Sequence, residues 1–404
     1  MCLNILIINC HWDNRGDEAA IRAMIDEIAT IYPEAHFFIQ RASGVFKSFP
    51  LRKNMRLVPA FPGRYKQLPF DILASLTNGK VCLLKNEKIF YKILQTADIV
   101  IHAPGGPSIG DIYLRQERKK LWRLMLVRQS GVPYVFYAPS MGPFHNRFRN
   151  IFRRKVLKDS SLICLREELS QKMVKEFIPE ANPIVTLDSA FQHDINLKTN
   201  QKLLERYTDL SDFITSDKVI GITITDLQWN SLYKGKVEIA EQIRNVFTVF
   251  IEGVIKEGYR VLLIPQLFES SNDYDYMKSY AVNKNIFVMS DEYDCYFQQY
   301  IISKLKAVIG MRYHSNIFSA KMGTPFISIS YEQKMLGFMQ KAGLMDYCID
   351  INELSIDRLN ERFRHLIDNY EIYRNLLDNK KKEFKRQSHM TTELVVNILD
   401  KENL

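Results

Sequence analysis

The chain reads as an α/β protein made of two doubly wound, Rossmann-like domains, and three observations carry that reading. Its 404 residues exceed the roughly 250 to 300 at which a single hydrophobic core stops growing. Short apolar, β-rich runs alternate with helix-length amphipathic segments, the pattern of parallel strands joined by crossover helices. That alternation breaks once, over a polar stretch at residues 196–217, and then starts again.

The clearest strands of the first half are Leu3 to Asn9, Phe37 to Ile39, Ile99 to His102, Tyr134 to Tyr137 and Leu162 to Leu165. In the second half they are Val219 to Thr225, Arg260 to Ile264, Ile286 to Met289, Ala307 to Ile309 and Phe326 to Ile329. The tail from about Ile356 reads as mostly helical. The expected domains are therefore residues 1–200 and residues 215–404, the second including the tail. Two such domains facing each other across a cleft make a glycosyltransferase-B-like architecture.

Composition narrows the class. With 46% hydrophobic and 25% charged residues, plus 24 Phe and 20 Tyr, the chain has the material for two packed cores and is not a disordered one. The six cysteines form no CxxC pair and several lie in apolar runs, which predicts reduced, buried thiols and a cytoplasmic chain rather than a disulfide framework or a zinc site. No run reaches the roughly 18 apolar residues of a membrane span, and the start MCLNILIINCHWDN lacks the basic region of a signal peptide. A net charge of +9 is compatible with nucleic acid, anionic lipid or a phosphorylated small molecule, and does not choose among them.

The chemistry concentrates at residues 306–334, KAVIGMRYHSNIFSAKMGTPFISISYEQK. Two apolar runs there are each followed at once by reactive side chains, Arg312 and His314 after the first and Lys334 after the second. Ligands of open parallel sheets sit beyond the carboxyl ends of the strands, so both turns face one pocket in this topology. Ser315 is the expected cap of the intervening helix, and Gly323 followed by Pro325 its end. Each of the three polar side chains taken singly is also what a solvated helix start or a satisfied core histidine looks like. Their recurrence at successive strand ends is what favours an anion site.

The first half repeats the motif more weakly. After Leu3 to Asn9 come Asn14, Gly16 and Asp17, where Gly16 permits a tight turn and Asp17 is a candidate helix cap. After Ile99 to His102 comes APGGPSIGD, whose Gly105 and Gly106 allow close backbone approach. Neither matches GxGxxG or the P-loop, and a plain sharp turn explains each as well. Arg166, in LREELS after the Leu162 strand, suits either bidentate recognition of phosphate or carboxylate, or a salt bridge to Glu167 or Glu168.

Together these segments resemble the polysaccharide pyruvyl transferase family. The resemblance covers most of the chain: NRGDEAA, APGGPSIGD, SMGPF, LREELS, TLDSAF around Asp188, IPQ at Ile264 to Gln266, and above all GMRYHSNIFSAKMGTPFISISYEQK. In the last, the family's Arg-x-His turn, Gly-x-Pro strand and Tyr-x-x-Lys end fall on Arg312, His314, Gly323, Pro325, Tyr331 and Lys334. Two positions depart from the pattern. Pro107 stands where a third glycine is frequent, removing one amide donor, and Ser189 stands where a proline is common.

The resemblance implies a glycosyltransferase-B-like fold and transfer of the enolpyruvyl carbons of phosphoenolpyruvate to a sugar as a ketal, with no metal or nucleotide cofactor. A lipid-linked precursor of capsule or exopolysaccharide, met at the inner face of the cell membrane, is the acceptor it suggests, with residues 1–200 as the acceptor side and no nucleic-acid partner. Phosphoenolpyruvate carries a phosphate and a carboxylate, so Arg166, Arg312 and Lys334 are the expected donor-binding cations. His314, with an ordinary pKa near ~6.5, is the expected proton donor to C3, and Asp17 a base or sugar-binding residue.

Two other readings stay open at this point. A nucleotide-sugar glycosyltransferase uses the same fold, and a non-catalytic membrane-surface protein would use the basic segments HNRFRNIFRRKVLK (His145 to Lys158) and NKKKEFKR (Asn379 to Arg386). The first segment interleaves Phe148 and Phe152 with arginines. It reads either as a lipid-facing helix or as one that packs its aromatics inward and solvates its cations.

Overall fold

The structure, a computed structural model, describes residues 3–12, 14–41, 51–59, 68–112, 114–216, 218–230, 232–268 and 272–402. The chain divides into two compact units: Met1–Trp12 with Ala20–His193 and Arg386–Leu404, and Asp13–Ala19 with Asp194–Lys385.

The first part of the chain runs β1 (Asn4–Cys10), α1 (Arg15–Ile31), β2 (His36–Arg41), β3 (Met55–Val58), α2 (Leu68–Leu76), α3 (Lys85–Leu94) and β4 (Ile99–His102). It continues with β5 (Gly105–Ile109), α4 (Leu114–Ser130), β6 (Tyr134–Phe136), β7 (Pro139–Met141), α5 (Arg147–Lys158), β8 (Leu162–Leu165), α6 (Glu168–Phe177) and β9 (Ile184–Val185). Seven strands form one parallel sheet in the order β3-β2-β1-β4-β6-β8-β9. The period of two along each strand splits the core between its faces. Ile5 and Ile7 of β1, Ile99 and Ile101 of β4 and Val135 of β6 pack with Ile21, Met24, Ile25 and Ile28 of α1. Leu6, Ile8, Val100, Tyr134 and Phe136 point the other way, into a core shared with α3, α4, α5 and α6.

After α7 (Leu197–Leu204) and α8 (Thr208–Phe213), the second unit starts its sheet with β10 (Val219–Thr223), α9 (Val237–Lys256), β11 (Arg260–Leu263), α10 (Asp273–Lys278) and β12 (Ile286–Val288). Then come α11 (Cys295–Ile302), β13 (Ala307–Gly310), α12 (Tyr313–Met322), β14 (Phe326–Ser330), α13 (Gln333–Ala342), β15 (Cys348–Asp350), α14 (Ile356–Asp368) and α15 (Tyr370–Glu402). The six strands are parallel in the order β12-β11-β10-β13-β14-β15, so the strand order reverses between β10 and β13. Such a switch point opens a crevice at the strands' carboxyl ends.

Two sequence expectations need correction here. The polar stretch at 196–217, expected to be the boundary itself, carries α7 and α8, and the division between the units falls just before it, between His193 and Asp194. The tail does not stay with the second unit either. From Arg386 onward α15 belongs to the first, where Ser388 donates to the Asp188 carbonyl at 2.7 Å, the Thr391 and Thr186 hydroxyls pair at 2.7 Å, and Val395 and Leu399 join the α1 core. Cys10, Cys82, Cys164, Cys295 and Cys348 are buried and form no disulfide, and Cys2 lies outside the described residues. Among the described residues no helix is long and apolar enough to cross a membrane.

Candidate functional site

In the second unit four neighbouring strands deliver side chains to one end of the sheet. From β10 come Thr223, Thr225, Trp229 and Asn230; from β11, Gln266 and Asp273; from β13, Arg312 and His314; and from β14, Tyr331, Glu332 and Lys334. Thr223 Oγ1 accepts from the amides of Met311 at 3.0 Å and Arg312 at 3.3 Å, which fixes the turn out of β13.

Arg312 is buried. Its Nε donates to Asp273 Oδ2 at 3.0 Å and its Nη2 to Asp273 Oδ1, while the guanidinium lies over the Trp229 ring at 4.4 Å. Burial opposes its charge, but Asp273 and then Tyr331 outweigh that and raise its pKa above the ordinary value. Asp273 is itself held by the Gln266 and Leu267 amides at 3.1 and 3.0 Å, so the pair is anchored to the β11 end. Trp229 donates Nε1 to Thr225 Oγ1 at 2.9 Å and meets Tyr331 edge-on.

Lys334 pairs with Glu332, which also accepts from Asn230 Nδ2 at 2.6 Å. The β10 loop is tied to the β14 turn a second time by the Tyr233 hydroxyl, which donates to the Tyr331 carbonyl at 3.0 Å. All three cations expected to meet the donor thus face a carboxylate: Arg166 with Asp188, Arg312 with Asp273 and Lys334 with Glu332. The pairs differ in access. The side chains are 1% and 1% exposed in the first, 5% and 1% in the second, and 16% and 15% in the third. Lys334 is therefore the cation that exchanges partners at least cost.

His314 stands in the first turn of α12 and is 7% exposed. Against it lies Gly16, where an added Cβ would fall 1.9 Å from the imidazole Nδ1. The segment bearing Gly16 is fastened to the β11 end: Asn14 bridges Leu267, the Arg15 amide donates to the Gln266 carbonyl at 2.8 Å, and Arg15 Nη2 donates to the Asp291 carbonyl at 2.7 Å. The NRGD and IPQ segments therefore serve one construction, the seat of His314.

Two local expectations change. Asn14, not Asp17, caps α1: its Oδ1 accepts from the Gly16 amide at 2.8 Å and its carbonyl from the Glu18 amide at 2.9 Å. Gly16 lies inside the first helical turn and serves close approach rather than a tight turn; Asp17 follows it, half-buried. Likewise Arg312 occupies the N-cap position of α12, and Ser315, in its first turn, donates its hydroxyl to the Arg312 carbonyl at 2.6 Å. Gly323 ends the helix in the left-handed conformation at φ 78°, as expected.

Arg166, Gly105 and Gly106 belong to the first unit. The salt bridge considered for Arg166 exists, but to Asp188 at 2.8 Å rather than to Glu167 or Glu168; its Nε donates to Ser140 Oγ at 2.8 Å. Gly105, at φ 143°, and Gly106 are not in an open loop. They begin β5, which pairs with β7 as a two-stranded parallel ladder that joins the APGGPSIGD and SMGPF segments. Gly106 would accept a Cβ without contact.

Sequence reasoning missed Trp229, Asn230, Asp273 and Glu332. A tryptophan and an asparagine directly after a strand, in DLQWN, were the available signal for the first two. Asp273 had none, because its partner lies two strands away in an order that only the sheet reveals.

Comparisons with known proteins agree with this architecture. Over 397 residues the chain is 24% identical to the amylovoran biosynthesis protein AmsJ of Erwinia amylovora, covering 91% of this chain and 93% of that protein. In fold it is similar to the UDP-GlcNAc 2-epimerase of Neisseria meningitidis, at a TM-score of 0.55 and 13% identity over 98% of this chain and 99% of the other. The enzyme of the same name from Methanocaldococcus jannaschii gives a TM-score of 0.53 and 13% identity over 90% and 92%. These likenesses place the two doubly wound units in the glycosyltransferase-B-like class. The family model for polysaccharide pyruvyl transferase matches residues 14–333, from the Asn14 bridge to the start of α13, and so takes in the site residues described above except Lys334, one residue beyond it. The protein belongs to the polysaccharide pyruvyl transferase family and is a phosphoenolpyruvate-dependent enzyme that transfers a pyruvyl group to a sugar in polysaccharide biosynthesis.

Proposed function

We propose that the carboxyl end of the second sheet is the donor site, that His314 supplies the proton to the enol, and that the acceptor is a lipid-linked saccharide precursor of capsule or exopolysaccharide. In this reading Lys334 leaves Glu332 to meet the phosphate or carboxylate of phosphoenolpyruvate. Arg312, kept in register by Asp273 and Trp229, presents its remaining edge to the same anion. Arg166, in the first unit, is kept as a candidate anion-binding cation, with the requirement that its pairing with Asp188 yield or be shared. The acceptor falls to the first unit and its Gly105 and Gly106 strand, and Asn14 orders the turn that carries Asp17.

The chemistry balances as follows. C3 of the enol takes the His314 proton, and C2 becomes an oxocarbenium centre. One sugar hydroxyl attacks C2 and gives up its proton to a base, for which Asp17 is the candidate. The C2–O bond to phosphate then breaks, and a second hydroxyl closes the ketal and releases its proton. One hydroxyl proton replaces the one delivered to C3, and the other leaves with phosphate. An imidazole is suited to this traffic because its ring nitrogens can both give and take a proton.

The apposition of Gly16 and His314 is the observation that carries the reading, because helix α1 begins with a residue that leaves room for that ring. Incubating the protein with phosphoenolpyruvate and a panel of lipid-linked saccharides tests it. A saccharide heavier by one pyruvyl ketal, with phosphate released in equal amount, is the expected result. Tight binding of a nucleotide sugar with no use of phosphoenolpyruvate would replace it by a glycosyltransferase reading. We also place the protein at the inner face of the cytoplasmic membrane, where such an acceptor is held.

A further inference from the structure

One face of α5 has the composition of a membrane-surface helix and is exposed among the described residues. Arg147, Phe148, Ile151, Arg154, Lys155 and Lys158 are exposed, and at 3.6 residues per turn they fall on one side of the helix. Phe148 is 71% exposed and Ile151 54%, far from the usual state of such side chains, while the helix contains no acidic residue.

The opposite side fixes that face outward. Arg153 is fully buried, donating Nε and Nη2 to Glu117 at 2.7 and 2.8 Å and Nη2 to Asp111 at 2.9 Å. Arg149 adds a 2.9 Å bond to Glu117, and Val156 and Leu157 enter the core. Phe152 packs on Trp122 at 5.0 Å and gives Phe148 an edge to rest on at 5.7 Å. Neither alternative reading of the sequence is therefore right in detail: one aromatic is outside, one arginine is inside, and Arg149 and Arg153 are structural. Arg154 is held over Phe177 at 4.4 Å, and Lys158 pairs at 3.7 Å with an exposed carboxylate, Glu180.

We infer that this face docks on an anionic lipid bilayer, with Phe148 and Ile151 entering the interface and Arg147, Arg154, Lys155 and Lys158 meeting lipid phosphates. Charge complementarity selects that occupant, since a stripe of four cations around two apolar side chains matches an anionic interface. The inference refines the membrane placement proposed above, but its physics is independent of the transfer reaction.

The test uses the full-length protein and vesicles of phosphatidylcholine with about a third phosphatidylglycerol, against pure phosphatidylcholine, in sedimentation at low and high salt. Binding to the anionic vesicles alone, weakening as salt rises, is expected. Both the pair Phe148→Ser with Ile151→Ser and the triple Arg154→Gln, Lys155→Gln, Lys158→Gln should lower partitioning by about tenfold or more. A control that removes Lys382 and Arg386, cations of the other basic segment, should change it less than about twofold. Thermal melts at the parent temperature establish that the variants are folded. Parent-like partitioning by folded α5 variants, or equal binding to both vesicle types, overturns the inference. Turnover of a water-soluble acceptor separates the two claims: it should be untouched in the α5 variants, and its absence in the parent would count against the transferase reading while leaving the docking result to stand or fall by itself.

Discussion

The side chain of His314 packs against Gly16: a Cβ there would stand 1.9 Å from Nδ1, 2.1 Å from Cγ and 2.5 Å from the histidine's own Cβ. Because the clash reaches the base of the side chain, turning the ring does not relieve it. Either the helix start or the whole histidine must shift. Gly16→Ala should therefore cut turnover on the order of 100-fold, the scale of misplacing a reacting group by about an ångström. Stability has an opposing gain of about 1 kcal/mol from replacing a helical glycine by alanine. Parent-like kcat in a folded Gly16→Ala protein would show that the apposition has no bearing on the chemistry.

Asp273 and Arg312 are a buried pair, and breaking it from one side should cost far more than removing it. Asp273→Asn leaves the guanidinium without its counter-charge and should destabilise the protein by about 3 to 5 kcal/mol in urea unfolding. Replacing both residues by apolar ones of similar size should recover most of that loss. A cost below about 1 kcal/mol for Asp273→Asn would mean that the pair does not hold Arg312.

Lys334 should behave in the opposite way. Its pair with Glu332 is partly exposed, so Lys334→Ala should cost less than about 1 kcal/mol of stability. Calorimetry should nonetheless show phosphoenolpyruvate bound at least tenfold more weakly. Glu332→Gln keeps an acceptor for Asn230 but releases the lysine from a carboxylate, and should tighten donor binding. Unchanged donor affinity in both variants would remove Lys334 from the site.

The strands were legible because each is a short β-rich run bounded by polar residues. Val308 and Ile309 of β13, or Phe326 and Ile327 of β14, are buried on both faces as such runs require. β5 and β7 were not, because Gly105, Gly106, Pro107 and Pro139 are turn formers and pair here only as a two-stranded ladder. β9 and β15, of two and three residues, are too short to show a period. In the site, Arg312, His314 and Lys334 stood out because chemistry followed directly on an apolar run. Their carboxylate partners did not: Asp273 and Asp188 reach their arginines through sheet order, which carries no mark in the local sequence. Gly16 was noticed for the wrong property, its backbone freedom, when what matters is its missing side chain.

His102, at the end of β4, gives the first unit an acid-sensitive element. Burial first, and then Lys120 and Arg123, push its pKa down to about 3, against a partial opposing effect of its bond to the Ala103 carbonyl. The native state thus keeps it neutral where the unfolded chain, near ~6.5, takes up a proton. Its contribution is complete above that pH and is lost as pH falls from about 6.5 towards 3, with a slope of up to about 1.4 kcal/mol per pH unit. Urea midpoints measured from pH 7 to 5 should fall, and His102→Gln should flatten the decline. An equally steep decline in that variant would assign the sensitivity elsewhere.

Whether His314 delivers the proton to the enol is read from turnover and phosphoenolpyruvate affinity of His314→Gln, measured side by side. Glutamine hydrogen-bonds but exchanges no proton near neutral pH, and Lys334 and Arg312 remain to hold the anion. Proton delivery by His314 requires a kcat lowered on the order of 100-fold or more, with donor affinity within about threefold of the parent. A folded His314→Gln protein that turns over close to the parent rate would contradict it.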